Sequence, residues 1–404
     1  MYRVSPFVRN FAWALLAGIA LATLWVNLFP ASYYDVIEWR LADLNLPDWM
    51  ADQTASVTPL KIVGDGLMAF FMFFVGKELW ESLVLERGAL SGRRALVPMG
   101  LSVGAMIGAA VVWVLVSGMI ETAEEAEFAT GWAVPLGSDV VLCYLMGRWV
   151  FGAGHMALHV LLLLTISADI IGLLVLGLSA PDVSLRLLWL ALPLLASLSA
   201  WFFAGRSPSG FASERRKRQR LYLWPYISAG VIGWIGVAAS GLPAALGLLP
   251  IIPAIAHADR AFGLFAEAEA LLHDPLNRLA HFLIRPLGAI LFLFGFTFGG
   301  IDLAAFAPTT FVVLAAMWIG KPMGLVAVWV ALERLAGLHL PHGLVRRDLY
   351  LIALIMGIGF TVPVLALDRA LPGGAMQEAA RLGFALSLLA APAALVLSRR
   401  RFKR

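Results

Sequence analysis

Apolar stretches of about 20 residues recur along this 404-residue sequence, each bounded by Gly, Pro or charge. A helix rises about 1.5 Å per residue, so each stretch matches the roughly 30 Å hydrocarbon core of a bilayer. With 61% of residues hydrophobic, 14% charged and a mean hydropathy of +0.85, the chain holds more apolar side chain than a soluble interior accepts. Lipid is therefore the expected solvent and partner for most of it. Backbone polar groups in hydrocarbon need partners within their own segment, which predicts an all-α polytopic membrane protein. Twelve transmembrane helices are expected, near 9–29, 59–84, 95–119, 127–148, 155–178, 184–204, 221–240, 242–258, 279–301, 308–332, 348–368 and 377–398. Pro243, Pro250 and Pro253 interrupt the eighth. The first run, Phe11 to Phe29, lacks a clear small-x-small cleavage site and reads as an uncleaved span.

Loop charge orients these spans. Arg206, Arg215, Arg216, Lys217, Arg218 and Arg220 crowd one loop, and Arg87, Arg93 and Arg94 follow span two. Arg346 and Arg347 precede span eleven, and Arg399, Arg400, Arg401, Lys403 and Arg404 follow span twelve. With an even number of spans all of these lie on one side, while Glu121, Glu124, Glu125 and Glu127 lie on the other. The positive-inside rule then makes both termini cytoplasmic. The net charge of +4 is spread among loops and gives no basis for a nucleic-acid partner. The basic 206–220 loop reads as a topology signal, with an acidic lipid or partner as the alternative. The long connector from Pro30 to Pro59 leaves room for a small external structure and for a homodimer built on it.

Three charges cannot reach water by local means. Asp169 sits in LLLLTISADIIGLLVLGL, Asp139 in GWAVPLGSDVVLCYLMG and Lys321 in FVVLAAMWIGKPMGLVAVWV. Each costs about 2.5–3.5 kcal/mol at the centre of a spanning helix, so such residues face partners or a water-filled path. Two acids and one base in separate spans point to ion or proton movement. Two spans also carry helix-breaking residues: Gly131, Pro135, Gly137 and Ser138 just before Asp139, and Gly357, Gly359, Thr361 and Pro363 in span eleven. Interrupted backbone in a membrane is tolerated where it is buried in protein or lines a cavity. These spans hold the second place in the triplets 3–5 and 10–12, which predicts inverted repeats with a site at the two breaks. The plainer reading is that Gly and Pro merely allow close helix packing.

The ordered set GDGLMAFFMFFVGKEL, GWAVPLGSD, the fifth span, IGKPMG and GIGFT resembles the NhaA-type sodium/proton antiporter family over most of the chain. Members of that family are among the transporters on which the inverted-repeat rule itself was built. The resemblance implies a six-helix core with crossed, broken fourth and eleventh helices, and a bundle that dimerises. It places helices 1 and 2 of the interface bundle in 1–84, core helices in 85–180, linking and interface helices in 181–303, and core helices in 304–404. It maps Ser138 and Asp139 onto a Thr-Asp pair at the fourth-helix break, and Lys321 onto the tenth-helix lysine. Asp65 and Glu78 fall on second-helix acids, with Glu78 near a funnel linked to pH response. One departure falls at the centre. The family carries Asp-Asp, one residue, then Gly on helix five, where this chain has Asp169-Ile170-Ile171-Gly172. In the register that keeps Gly172, Asp169 takes the place of the first Asp, which is expected to pair with Lys321. Ile170 takes the place of the main cation ligand.

An ion site is thus expected at Asp169, Asp139, Lys321, Ser138 and Thr361, with no cofactor and with Na+ or Li+ and H+ as cargo. Oxygen ligands suit such hard cations. Three readings stay open: sodium (or lithium)/proton exchange, proton-linked carriage of another solute, and a transport-inactive scaffold whose core charges only stabilise packing. Glu78, beside Lys77 and near Glu81, also reads as a local charge cluster. Asp65, between Gly64 and Gly66, lines a cavity or bonds between helices. His155 and His159 lack acid or Cys neighbours for a metal and read as solvated or packing histidines, with pH sensing as the alternative, and Cys143 carries no redox role. No Walker or HExxH motif is present, so the chain is not expected to be an enzyme.

Overall fold

The computed structural model describes residues 4–44, 55–84, 95–120, 128–179, 185–205, 223–257, 264–267, 272, 274–338, 340, 343–371 and 373–399. The basic loop at 206–220, Arg87, Arg93, Arg94, the acidic run 121–127 and the cations from residue 400 onward lie outside them.

Among the described residues, eight helices are long and apolar enough to cross a membrane: Phe7–Leu28, Pro59–Val84, Leu96–Ile120, Met156–Ser179, Leu187–Gly205, Pro275–Phe298, Pro308–Leu335 and Ala375–Ser398. A ninth span is the bent pair Ala129–Leu136 and Val140–Phe151, whose axes meet at 52°. Two shorter apolar segments, Trp224–Ala239 and Ala244–Ala254, and the interrupted pair Arg346–Ile355 and Thr361–Ala370 complete the chain. These correspond in order to the twelve runs read from the sequence, and the protein is a multi-pass membrane protein. Span eight departs from a regular helix. It consists of the 3₁₀ turns Ala244–Leu246 and Leu249–Ala254, because Pro243, Pro250 and Pro253 remove donors at close intervals. The connector after span one forms a helix, Pro30–Ile37, and two short strands, β1 (Ala42–Leu44) and β2 (Ala55–Val57). The strands pair antiparallel with Asp43 opposite Ser56.

Spans three and ten hold the site together by backbone contact. Gly104 and Gly108 on one face Gly320 and Gly324 on the other, a small-xxx-small seam on both helices. A Cβ at Gly324 would lie 2.0 Å from the Gly104 carbonyl oxygen, and one at Gly108 would lie 2.2 Å from that of Gly320. Only hydrogen fits there, and the seam fixes the backbone beside Lys321. Gly324→Ala is therefore expected to cost about 1–3 kcal/mol through forced separation of the two helices. Thermal unfolding in detergent checks this. Gly118→Ala, where an added Cβ meets nothing within 4 Å, serves as the control that should melt no lower than the unaltered protein.

Candidate functional site

Spans four and eleven break where they pass one another, and each break has a local cause. In span four a 3₁₀ segment, Phe128–Leu136, contains Pro135 and runs into Gly137 and Ser138. The chain then restarts at Asp139, whose extended backbone (φ −136°) makes it the N-cap of Val140–Phe151. In span eleven Arg346–Ile355 stops before Gly357 and Gly359, and the second half starts at Thr361. Pro363 falls in the first turn of that half, where its missing N–H would have had no helical partner.

The charged side chains answer the broken ends. Asp139 Oδ1 accepts from the Leu142 N–H at 2.7 Å, capping the second half of span four. Its Oδ2 accepts from the Thr361 N–H at 3.0 Å and also from the Thr361 hydroxyl, holding the start of the second half of span eleven. One carboxylate thus serves two helix N-termini, whose dipoles favour negative charge. Lys321 Nζ stands at the opposite pole. It donates to the Gly137 carbonyl, freed by the break, and to Ser138 Oγ at 2.9 Å. The carbonyl end of span eleven's first half is met by Ser138 Oγ, 3.3 Å from the Met356 oxygen, and by Cys143 Sγ, 3.3 Å from the Ile355 oxygen. Asp139, Ser138 and Lys321 are 0% exposed, and Asp169 and Thr361 are 1% exposed.

Asp169 is placed differently from expectation. No ion pair joins it to Lys321 among the described residues. Its Oδ1 accepts from the Ser138 N–H at 2.6 Å, so acid and base meet through opposite sides of one serine. The physical reason is competition: the ammonium finds the unpartnered Gly137 carbonyl nearer than the carboxylate. The second oxygen, Asp169 Oδ2, is buried and has no hydrogen-bond partner. Asp139, Lys321 and the Val140 N–H all lie within electrostatic reach of the Asp169 carboxylate. Gly172 shares this face of span five, since a Cβ there would lie 3.1 Å from the Gly137 nitrogen. Ile170, next in sequence, is half-buried.

All five expected ion-site residues therefore meet at the crossing, and the two remaining candidates do not. Glu78 belongs to a buried cluster near the end of span two. Lys77 Nζ lies 3.0 Å from Glu78 and 2.9 Å from Glu81, and the Phe265 N–H donates to Glu78 at 2.5 Å. Asp65 lies earlier on span two, beside a separate cavity. His155 binds locally, its Nδ1 accepting from the Ala157 N–H at 3.1 Å. Two supporting residues escaped the sequence reading. Ser387 of span twelve contacts both the nitrogen and the oxygen of Gly359 at 3.2 Å, and Cys143 reaches the broken end of span eleven. A lone Ser or Cys in an apolar run gives no signal of that role.

The family model described as Na+/H+ antiporter 1 matches residues 9–397. A protein of Jannaschia sp. (strain CCS1) named Na(+)/H(+) antiporter NhaA is 38% identical, over 99% of this chain and 98% of its own length. Na(+)/H(+) antiporter NhaA 2 of Pelobacter propionicus is 31% identical over 95% of this chain and 94% of its own. The NhaA protein of Geotalea uraniireducens is 30% identical over 99% and 97%. With a match that runs from the first span to the last, this chain belongs to the Na+/H+ antiporter 1 family.

Proposed function

We propose that the chain exchanges Na+ or Li+ for H+ across a bacterial inner membrane, with Asp169 carrying either ion. One observation bears most of this reading. The other charges at the crossing are occupied by helix ends, whereas Asp169 Oδ2 is buried without a partner. A buried polar atom in that condition costs about 1–3 kcal/mol unless something binds it, and a carboxylate costs more. A proton satisfies it by forming O–H, and a cation satisfies it by bringing positive charge. One oxygen cannot hold both, so loading either ion expels the other. That competition is what antiport requires. Ser138, Thr361 and the carbonyls of the breaks offer neutral oxygens for the rest of a cation's shell. With Ile170 beside Asp169, one carboxylate turns over, and the exchange is one H+ per Na+.

The same reading makes both termini cytoplasmic, assigns 85–180 and 304–404 to the ion-carrying core, and leaves the bundle containing 1–84 to dimerise. All five site residues come from the two core ranges. Purified protein in liposomes with an imposed pH gradient tests the proposal. Na+ or Li+ should collapse the gradient and K+ should not. Silence toward Na+ and Li+ from folded protein counts against exchange. A response to some other solute alone would move the protein to the proton-linked carriers.

A further inference from the structure

Span two holds an acid that the crossing does not use. Asp65 lies in Ile62–Leu67, a π-helical turn, a widened form frequent at functional sites. This turn forms one wall of a half-open cavity of about 720 Å³, bounded on its far side by spans seven, eight and nine. Ligand cavities span roughly 300–1,000 Å³, so the space suits a small organic molecule. Its walls are mainly aliphatic, with aromatic rings contributed by Phe70, Phe73, Tyr226, Trp234 and Phe282. Trp234 Nε1 donates to the Asp65 backbone carbonyl at 2.9 Å, which fixes the indole against the turn.

The Asp65 carboxylate has no hydrogen bond or ion pair among the described residues. Two cations lie close enough to feel its charge; each contacts another group, and one of them, Lys61, lines the same cavity together with its partner Ser56. Arg369 Nη1 donates to the Gly241 carbonyl at 3.0 Å, and Lys61 Nζ lies 3.5 Å from Ser56 Oγ. A carboxyl group without a hydrogen bond or ion pair thus stands at the wall of an apolar cavity, on a membrane-spanning helix.

We propose that this cavity binds a lipophilic organic cation, an aryl- or alkyl-ammonium or a guanidinium. The charged head pairs with Asp65 and the apolar body lies among the aromatic rings, whose faces also attract cations. A hydrated Na+ would gain nothing from the apolar walls. A lipid acyl chain would fill them and leave the carboxylate unpaired. The cavity lies between span two and spans seven, eight and nine, which touch around it, and none of the five crossing residues lines it, so its occupancy does not depend on the transport reading.

Calorimetric titration of purified protein in detergent tests this with two probes of one shape, 2-naphthylmethylammonium and neutral 2-naphthylmethanol. The ammonium should bind at least about tenfold more tightly, a difference of about 1.4 kcal/mol. Asp65→Asn should bring the two probes to similar affinity. A second variant works through volume. An added Cβ at Gly66 meets nothing within 4 Å, so Gly66→Leu should project into the cavity and weaken both probes. Equal binding of the two probes by the unaltered protein would mark a lipid groove and overturn the proposal. So would an undiminished preference in Asp65→Asn, or no binding of either probe.

Discussion

Asp169→Asn is expected to abolish Na+-driven proton exchange in liposomes, lowering the rate by at least about 100-fold, while the protein stays folded. The amide keeps the shape of the carboxyl group, and its oxygen can still accept the Ser138 N–H that now reaches Oδ1. What it loses is the second oxygen, the one buried side-chain oxygen at the crossing left without a hydrogen-bond partner. An amide nitrogen there neither takes up and releases a proton at working pH nor coordinates a cation. Removing a buried charge should leave the melting temperature equal or higher. Asp139→Asn should behave in the opposite way. Both Asp139 oxygens accept hydrogen bonds, so whichever end becomes nitrogen faces a donor at Leu142 or Thr361. That mismatch should cost about 1–3 kcal/mol of stability. Exchange assays and melting curves on both variants separate a carrier from a cap. Retention of half the exchange rate in Asp169→Asn would remove Asp169 from the carrier role.

The difference between these two aspartates was only partly legible in the sequence. Their position in apolar runs showed that each needed a partner, and the Gly and Pro clusters beside Asp139 and Thr361 located the breaks. The choice of partner was not legible. A break in a membrane helix frees backbone groups, and these compete for side chains on nearly equal terms with opposite charges. Lys321 therefore goes to the Gly137 carbonyl instead of the Asp169 carboxylate, and Asp139 goes to two helix starts. Burial and spacing cannot rank such options, because they depend on how two backbones cross. The Gly104–Gly324 seam was hidden for the same reason: the glycines are visible, but their facing contact is a tertiary fact. The π turn at Ile62–Leu67 had a weak trace in Gly64-Asp65-Gly66, which drew attention to the right residues without indicating the widened turn.

Lys321→Ala is expected to cut exchange by at least about tenfold and to lower stability by about 1–3 kcal/mol, because it leaves the Gly137 carbonyl buried without its donor. Lys321→Arg distinguishes two explanations of that loss. Arginine keeps the positive charge and presents several donors, but it does not release its proton in a protein. If the lysine carried protons, Arg should fail as completely as Ala. The geometry favours the other outcome, since the ammonium braces the break of span four and makes no ion pair with Asp169. Lys321→Arg should therefore retain exchange above about a tenth of the original rate and recover most of the lost stability. Exchange rates and melting temperatures for the three proteins decide between the roles. Under the bracing role one proton rides on Asp169 for each sodium bound, so the exchange moves no net charge. A membrane potential imposed on the liposomes should then leave its rate unchanged, whereas a potential-sensitive rate would require a second proton carrier at the crossing.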